Sequence, residues 1–138
     1  MNHSGAGAIA ISYNSEGMTL YDWSGITAEQ LNPLVSRKCI HTDRMTIARL
    51  YLKAGAVVPE HRHENEQVST VVSGRLTFKL DGREIVVSAG ESLQIPSNVP
   101  HSVVAEEDSE ALDLFAPCRE DWIRGDDAYL RSGAGAAR

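Results

Sequence analysis

The sequence predicts an all-β fold, a small barrel or jelly roll with short peripheral helical turns at its C-terminal end. Three observations carry this reading. Short runs of alternating apolar and polar residues recur between residues 45 and 116. Turn residues interrupt them at intervals of about ten residues, and helical signals are confined to the flanks. A chain of 138 residues, 42% apolar and 23% charged, suits one domain. At this length roughly 68–70% of the unfolded surface can be buried.

Residues 1–17 are rich in Gly, Ala, Ser and Asn and are expected to form a flexible segment. SGAGAAR at 132–138 reads as a disordered tail, which leaves 18–131 as a single domain. Thr27 and Gln30 have capping-box spacing, so a short helix ended by Pro33 is expected there. From Met45 to Leu52, Ala48, Leu50 and Leu52 share one strand face, and Ile47, Arg49 and Tyr51 the other. After Gly55, Val68 to Val72 is a β-branched run that stops at Ser73-Gly74. Leu76, Phe78 and Leu80 alternate up to Asp81-Gly82, a strong hairpin signal because both residues tolerate positive φ. Ile85 to Val87 is the return strand. Ser92 to Ile95 and His101 to Ala105 flank a turn containing Pro96 and Pro100, and Glu110 to Phe115 is the last strand. Glu120 to Ile123 and Asp126 to Leu130 close the chain as helical turns.

Nineteen acidic residues against 13 basic ones give a net charge of −6. Nucleic acid and anionic membranes recruit Lys and Arg, so neither is an expected partner. A small anionic molecule is compatible with this balance if positive charge gathers in one pocket. No run of 18 apolar residues marks a membrane span. Cys39 and Cys118 make no disulfide framework, and Met1 to Ala10 lacks the basic and apolar regions of a secretory signal. The expected compartment is the cytoplasm.

His61 and His63 share a face if their segment is extended, and Gln67 has the same parity. His101 enters a strand straight after Pro96-Ser97-Asn98-Val99-Pro100. If the barrel brings these strands together, three imidazoles and an amide oxygen converge on one ion. Imidazole suits Zn, Fe, Ni, Cu and Mn to varying degrees. Each histidine feature taken alone reads better as an ordinary surface strand residue than as a ligand, and it is the joint pattern that points to a metal. Cys39-x-His41 has ligand-like spacing but no partner pair, and fits a strand near a subunit interface better.

A glutamine ligand leaves the charge of a bound cation uncancelled. That strengthens its Lewis acidity and its pull on an anion. Gln67 reads alternatively as a tolerated substitution in a site that only holds metal. Asp113 and Phe115 share one strand face, opposite Leu112 and Leu114. A carboxylate facing an apolar interior is costly unless it is paired or used. Arg119, after Pro117-Cys118, is placed to fold back over the barrel mouth, and its guanidinium suits a carboxylate. Asp113 and Arg119 therefore serve a ligand, or they form a structural ion pair that pins the C-terminal segment.

These residues resemble the two motifs of the cupin superfamily. Gly55, His61, His63, Gln67 and Gly74 fall on the first, with Gln67 in place of the usual acidic ligand. Gly90, Pro96 and His101 fall on the second, in which Asn98 and Ala105 replace a Gly and an Asn. The resemblance spans about residues 40–116. It implies a double-stranded β-helix, a metal held inside the barrel by His61, His63, Gln67 and His101, and a homodimer. Glu66-Gln67, the run Ile95 to His101 and the run Asp113 to Trp122 are further similar to the small single-domain cupins of the pectin-degradation type. That likeness implies one divalent transition metal (Ni, Fe, Mn or Zn), catalytic roles for Asp113 and Arg119, and substrate binding by Phe115 and Arg119. The implied reaction converts 4,5-unsaturated uronates to 5-keto-4-deoxyuronates. Its rivals are an iron-dependent dioxygenase and a non-catalytic module that binds metal or a small ligand.

Overall fold

Strands form where the apolar alternation runs, and among the described residues they assemble into two large antiparallel sheets and one two-stranded ribbon. The computed structural model describes residues 10–12 and 17–132. Of the two end segments expected to be flexible or disordered, residues 1–9, 13–16 and 133–138 lie outside the described residues. β1 (Ala10–Ser12) and β2 (Thr19–Tyr21) pair as a short ribbon. A single 3-10 turn, Trp23–Gly25, follows, with the Asp22 carboxylate accepting from the Ser24 backbone N–H at 3.0 Å.

The helix expected between Thr27 and Pro33 is instead a hairpin of β3 (Glu29–Asn32) and β4 (Val35–His41). Pro33 explains the difference, because the residue before a proline is pushed toward extended backbone. Asn32 then closes the turn, its side-chain oxygen accepting from the Leu34 backbone N–H at 2.9 Å. β5 (Thr46–Leu52), β6 (Val57–His61), β7 (Glu66–Ser73) and β8 (Arg75–Leu80) continue the chain. They are followed by β9 (Arg83–Ser88), β10 (Ser92–Ile95), β11 (His101–Ala105) and β12 (Ser109–Ala116). Two helical turns, α1 (Glu120–Arg124) and α2 (Ala128–Ser132), lie where the sequence predicts them.

The larger sheet has six strands in the order β10-β7-β12-β5-β4-β3, and the smaller has four in the order β6-β11-β8-β9. One core joins them. Leu52, Val71 and Ala111 of the large sheet cluster with Val58, Phe78, Val87 and Val103 of the small one. The β8–β9 hairpin turns at Asp81 (φ 52°) and Gly82 (φ 74°), the two positive angles that a two-residue turn of this kind needs.

Gly74 carries the chain from the large sheet to the small one at φ +85°. A side-chain carbon there would lie 2.4 Å from the Asp108 carbonyl oxygen, so only glycine fits. The Pro96–Pro100 loop docks on the loop after β6. Asn98, in a left-handed conformation at φ 63°, donates its backbone N–H to the His63 carbonyl at 2.8 Å. Ser97 Oγ donates to the Glu64 carbonyl at 2.7 Å. These bonds bring the two histidine-bearing segments together. Among the described residues, no helix is long and apolar enough to cross a membrane.

Candidate metal centre

His61 ends β6 and His101 opens β11, and the two are register partners in the small sheet. His63 lies in the loop that crosses to the large sheet, where Gln67 is the second residue of β7. The parity argument from the sequence assumes one extended segment; the chain instead leaves one sheet at His61 and joins the other at Glu66. The side chains converge all the same. One ligand nitrogen from each of His61, His63 and His101 lies within 4.8 Å of the others.

Backbone carbonyls orient the three rings. His61 Nδ1 donates to Pro59 O at 2.7 Å, His63 Nδ1 to Asn65 O at 3.0 Å, and His101 Nδ1 to Val99 O at 2.8 Å. A carbonyl can only accept, so each Nδ1 carries the proton and each Nε2 keeps its lone pair. Nε2 of His101 is buried without any partner. Burial pushes the His61 ring down to about 3, helped by its histidine neighbours, and the His63 ring down to about 4. All three rings are thus neutral at neutral pH and need lose no proton to bind a metal.

Gln67 supplies the fourth donor. Its amide nitrogen donates to Ser69 Oγ at 2.8 Å and reaches Asp113 Oδ2 at 3.5 Å. The amide oxygen therefore faces the histidines, 3.1 Å from His63 Nε2. Three convergent neutral imidazoles, with His101 Nε2 buried and unpartnered, and an amide oxygen form a neutral donor set that fits one divalent transition metal.

Asp113 and Phe115 face inward from β12 and are buried, while Leu114 is exposed on the opposite face. Burial lifts the Asp113 carboxyl to about 7, against the opposing pull of Ser69 and Arg119. Its Oδ1 has no partner. Arg119 is 1% exposed, with its Cζ 4.8 Å from the Phe115 ring and 4.2 Å from the Trp122 ring.

The structural ion pair between Asp113 and Arg119 does not form. Arg119 instead grips Asp121 through Nε at 3.0 Å and Nη2 at 2.7 Å, because a carboxylate two residues along reaches the guanidinium without spanning the barrel. Nη2 also donates to the Tyr129 hydroxyl at 2.8 Å. Nη1 has no protein partner among the described residues.

Sequence reasoning missed several supporting residues. Asn65 is 3% exposed and donates to the carbonyls of Pro117 (2.6 Å) and Cys118 (3.0 Å), tying the histidine loop to the segment that carries Arg119. Its position between His63 and Gln67 was the available signal. Ser69, fully buried, shares the parity of Gln67 and Val71 and could have been found that way. Among the described residues Cys39 belongs to no cluster of three metal-ligating side chains, and burial pushes its thiol up to about 12. His41 Nδ1 pairs with Thr46 Oγ1 at 2.8 Å.

Together, His61, Gln67, His101, Asp113, Arg119 and Tyr129 line a cavity of about 50 Å³ that opens on one side. That space holds an ion and a few waters, and a larger ligand would extend through the open side. The cupin-domain family model matches residues 48–116, the stretch that carries His61, His63, Gln67, His101 and Asp113.

The chain belongs to the cupin family.

Its relatives include the pectin degradation protein KdgF of Dickeya dadantii. This cupin is 28% identical to it over 98 residues, which make up 69% of this chain and 89% of that protein. The solved structure of KdgF from Halomonas sp. is similar to it with a TM-score of 0.65 and 33% identity, covering 69% of this chain and 91% of that one. An RmlC-like cupin from Shewanella frigidimarina superposes with a TM-score of 0.67 and 25% identity, over 84% of this chain and 98% of that one. This cupin thus has the all-β architecture that its sequence predicts.

Proposed function

We propose that this cupin is a metal-dependent isomerase that opens a 4,5-unsaturated uronate to a 5-keto-4-deoxyuronate. One observation carries the reading. The Asp113 carboxyl, lifted to about 7 and with Oδ1 unpartnered, shares a cavity with His61, Gln67, His101 and the buried Arg119 guanidinium. The likeness to pectin-degradation proteins supports the substrate class.

The reaction is redox-neutral. The anomeric hydroxyl loses its proton, the bond between C1 and the ring oxygen breaks as C1 becomes an aldehyde, and the resulting enolate gains a proton at C4 to leave a ketone at C5. No atom is gained or lost, so no co-reactant is needed. A carboxyl that titrates near neutrality exists in both forms at working pH. Asp113 can therefore accept the first proton and deliver the second. Arg119 Nη1 holds the substrate carboxylate, and the Phe115 ring keeps that end of the pocket dry. His61, His63, Gln67 and His101 would hold the metal, which when bound supplies a Lewis acid for the sugar oxygens.

Incubating the metal-loaded protein with unsaturated galacturonate tests this. The ultraviolet absorbance of the conjugated double bond should disappear, with an open-chain 5-keto acid as the product by NMR. An unchanged spectrum in the presence of bound metal would leave a binding module in its place. Oxygen uptake with Fe(II) would point to the dioxygenase.

A further inference from the structure

We infer that the Tyr129 hydroxyl is a ligand-recognising hydrogen-bond donor in the pocket, directed at an acceptor oxygen of the anionic ligand beside Arg119. This rests on the proposed reading only in taking the ligand to be anionic. A phenolic hydroxyl has one proton to give and two lone pairs to fill. Arg119 Nη2 donates to it at 2.8 Å and Trp122 Nε1 at 3.2 Å. Neither nitrogen can accept, so both lone pairs are occupied from outside and the hydroxyl must give its own proton elsewhere.

Among the described residues nothing receives it. Tyr129 is half-buried, lines the same cavity as Gln67, His101 and Asp113, and packs its ring 4.7 Å from that of His61. The proton is therefore left for whatever enters the cavity. Arg119 Nη1 is similarly left without a protein partner, on the same guanidinium whose Nη2 touches the hydroxyl. Two donors side by side, with no acceptor between them, favour carboxylate and carbonyl oxygens and reject groups that only donate. The occupied lone pairs also make the selection one-sided. An ordinary tyrosine hydroxyl could turn to accept from a ligand amine, and this one cannot.

Titration calorimetry of the metal-loaded full-length chain with D-galacturonate, and separately with malonate, reads binding without turnover. Tyr129→Phe keeps the ring against His61 and removes one oxygen. Whichever probe the wild type binds should bind the variant about tenfold more weakly, with metal content per chain unchanged. Equal affinity in the folded variant, or no uptake of either probe by the wild type, overturns the inference. A second variant does not depend on how Tyr129→Phe folds. A 3-fluorotyrosine at position 129 keeps the oxygen and both of its donors, and as a stronger O–H donor it should tighten binding of the same probe. Unchanged or weaker binding there counts against the inference. A wild type that binds galacturonate yet leaves the unsaturated analogue intact would sink the isomerase reading and leave the role of the hydroxyl standing.

Discussion

Gln67 Oε1 sits 3.1 Å from His63 Nε2, and neither atom has a proton to place between them. The His63 proton is committed to the Asn65 carbonyl at 3.0 Å, and the Gln67 amide nitrogen is turned toward Ser69 at 2.8 Å. Two lone pairs held face to face repel each other unless a cation lies between them. The outer hydrogen bonds thus hold these donors in an arrangement that could take a cation.

The neutrality of Gln67 should matter more for anions than for the metal itself. Gln67→Glu retains an oxygen donor and cancels one positive charge. Metal content should stay at the wild-type level, while malonate affinity measured by calorimetry falls several-fold. Unchanged anion affinity would mean that the amide is only a spacer.

Asp113→Asn removes the group that holds and moves the proton but keeps its shape. Turnover of unsaturated uronate should fall by about 10²–10⁴-fold while the metal remains bound. A variant that keeps full kcat would remove Asp113 from the reaction.

Gly74→Ala forces a side chain into φ +85° and against the backbone, 2.4 Å from the Asp108 carbonyl oxygen and 2.7 Å from Ser109 Cα. The chain crosses between sheets here and cannot shift cheaply. A loss of about 2 kcal/mol or more is expected, read as a Tm lowered by roughly 5 °C. An unchanged Tm would show that the crossing is looser than its geometry.

Asp127 links the C-terminal segment to the barrel through Arg37 Nη2 at 2.5 Å and Arg131 Nε at 3.0 Å. Burial alone would raise its carboxyl, but Arg131 and Arg37 outweigh that and hold it below the ordinary value. A carboxyl whose folded pKa is depressed contributes stability above the unfolded value of about 4, and loses it as pH falls through the folded value. Asp127→Asn should cost about 3 kcal/mol at neutral pH. The gap in Tm between wild type and variant should narrow as pH drops from 5 toward 2, and a constant gap would contradict the assignment.

Strands were legible wherever side-chain alternation met strong turn chemistry, as in Leu76 to Leu80 ahead of Asp81-Gly82. The Thr27 to Pro33 stretch was misread because a capping box and a proline turn share residue types, and pairing with β4 decided between them. The convergence of His61, His63 and His101 was legible because residue type and spacing are local, although His63 reaches the cluster from a loop rather than along a strand. Asp121 and Tyr129 were not legible as partners of Arg119. Their contacts depend on how α1 and α2 fold back over the barrel, and no local periodicity encodes that.

Metal stoichiometry in the wild type and in His101→Ala tests the central claim most directly. His101 Nε2 is buried with no protein partner, so a bound cation is what would satisfy it. Purified full-length protein equilibrated with Ni, Fe, Mn or Zn should retain about one metal per chain after desalting. His101→Ala, folded by circular dichroism, should retain almost none. A folded wild type that keeps no metal, or a His101→Ala chain that keeps as much as wild type, would contradict the account.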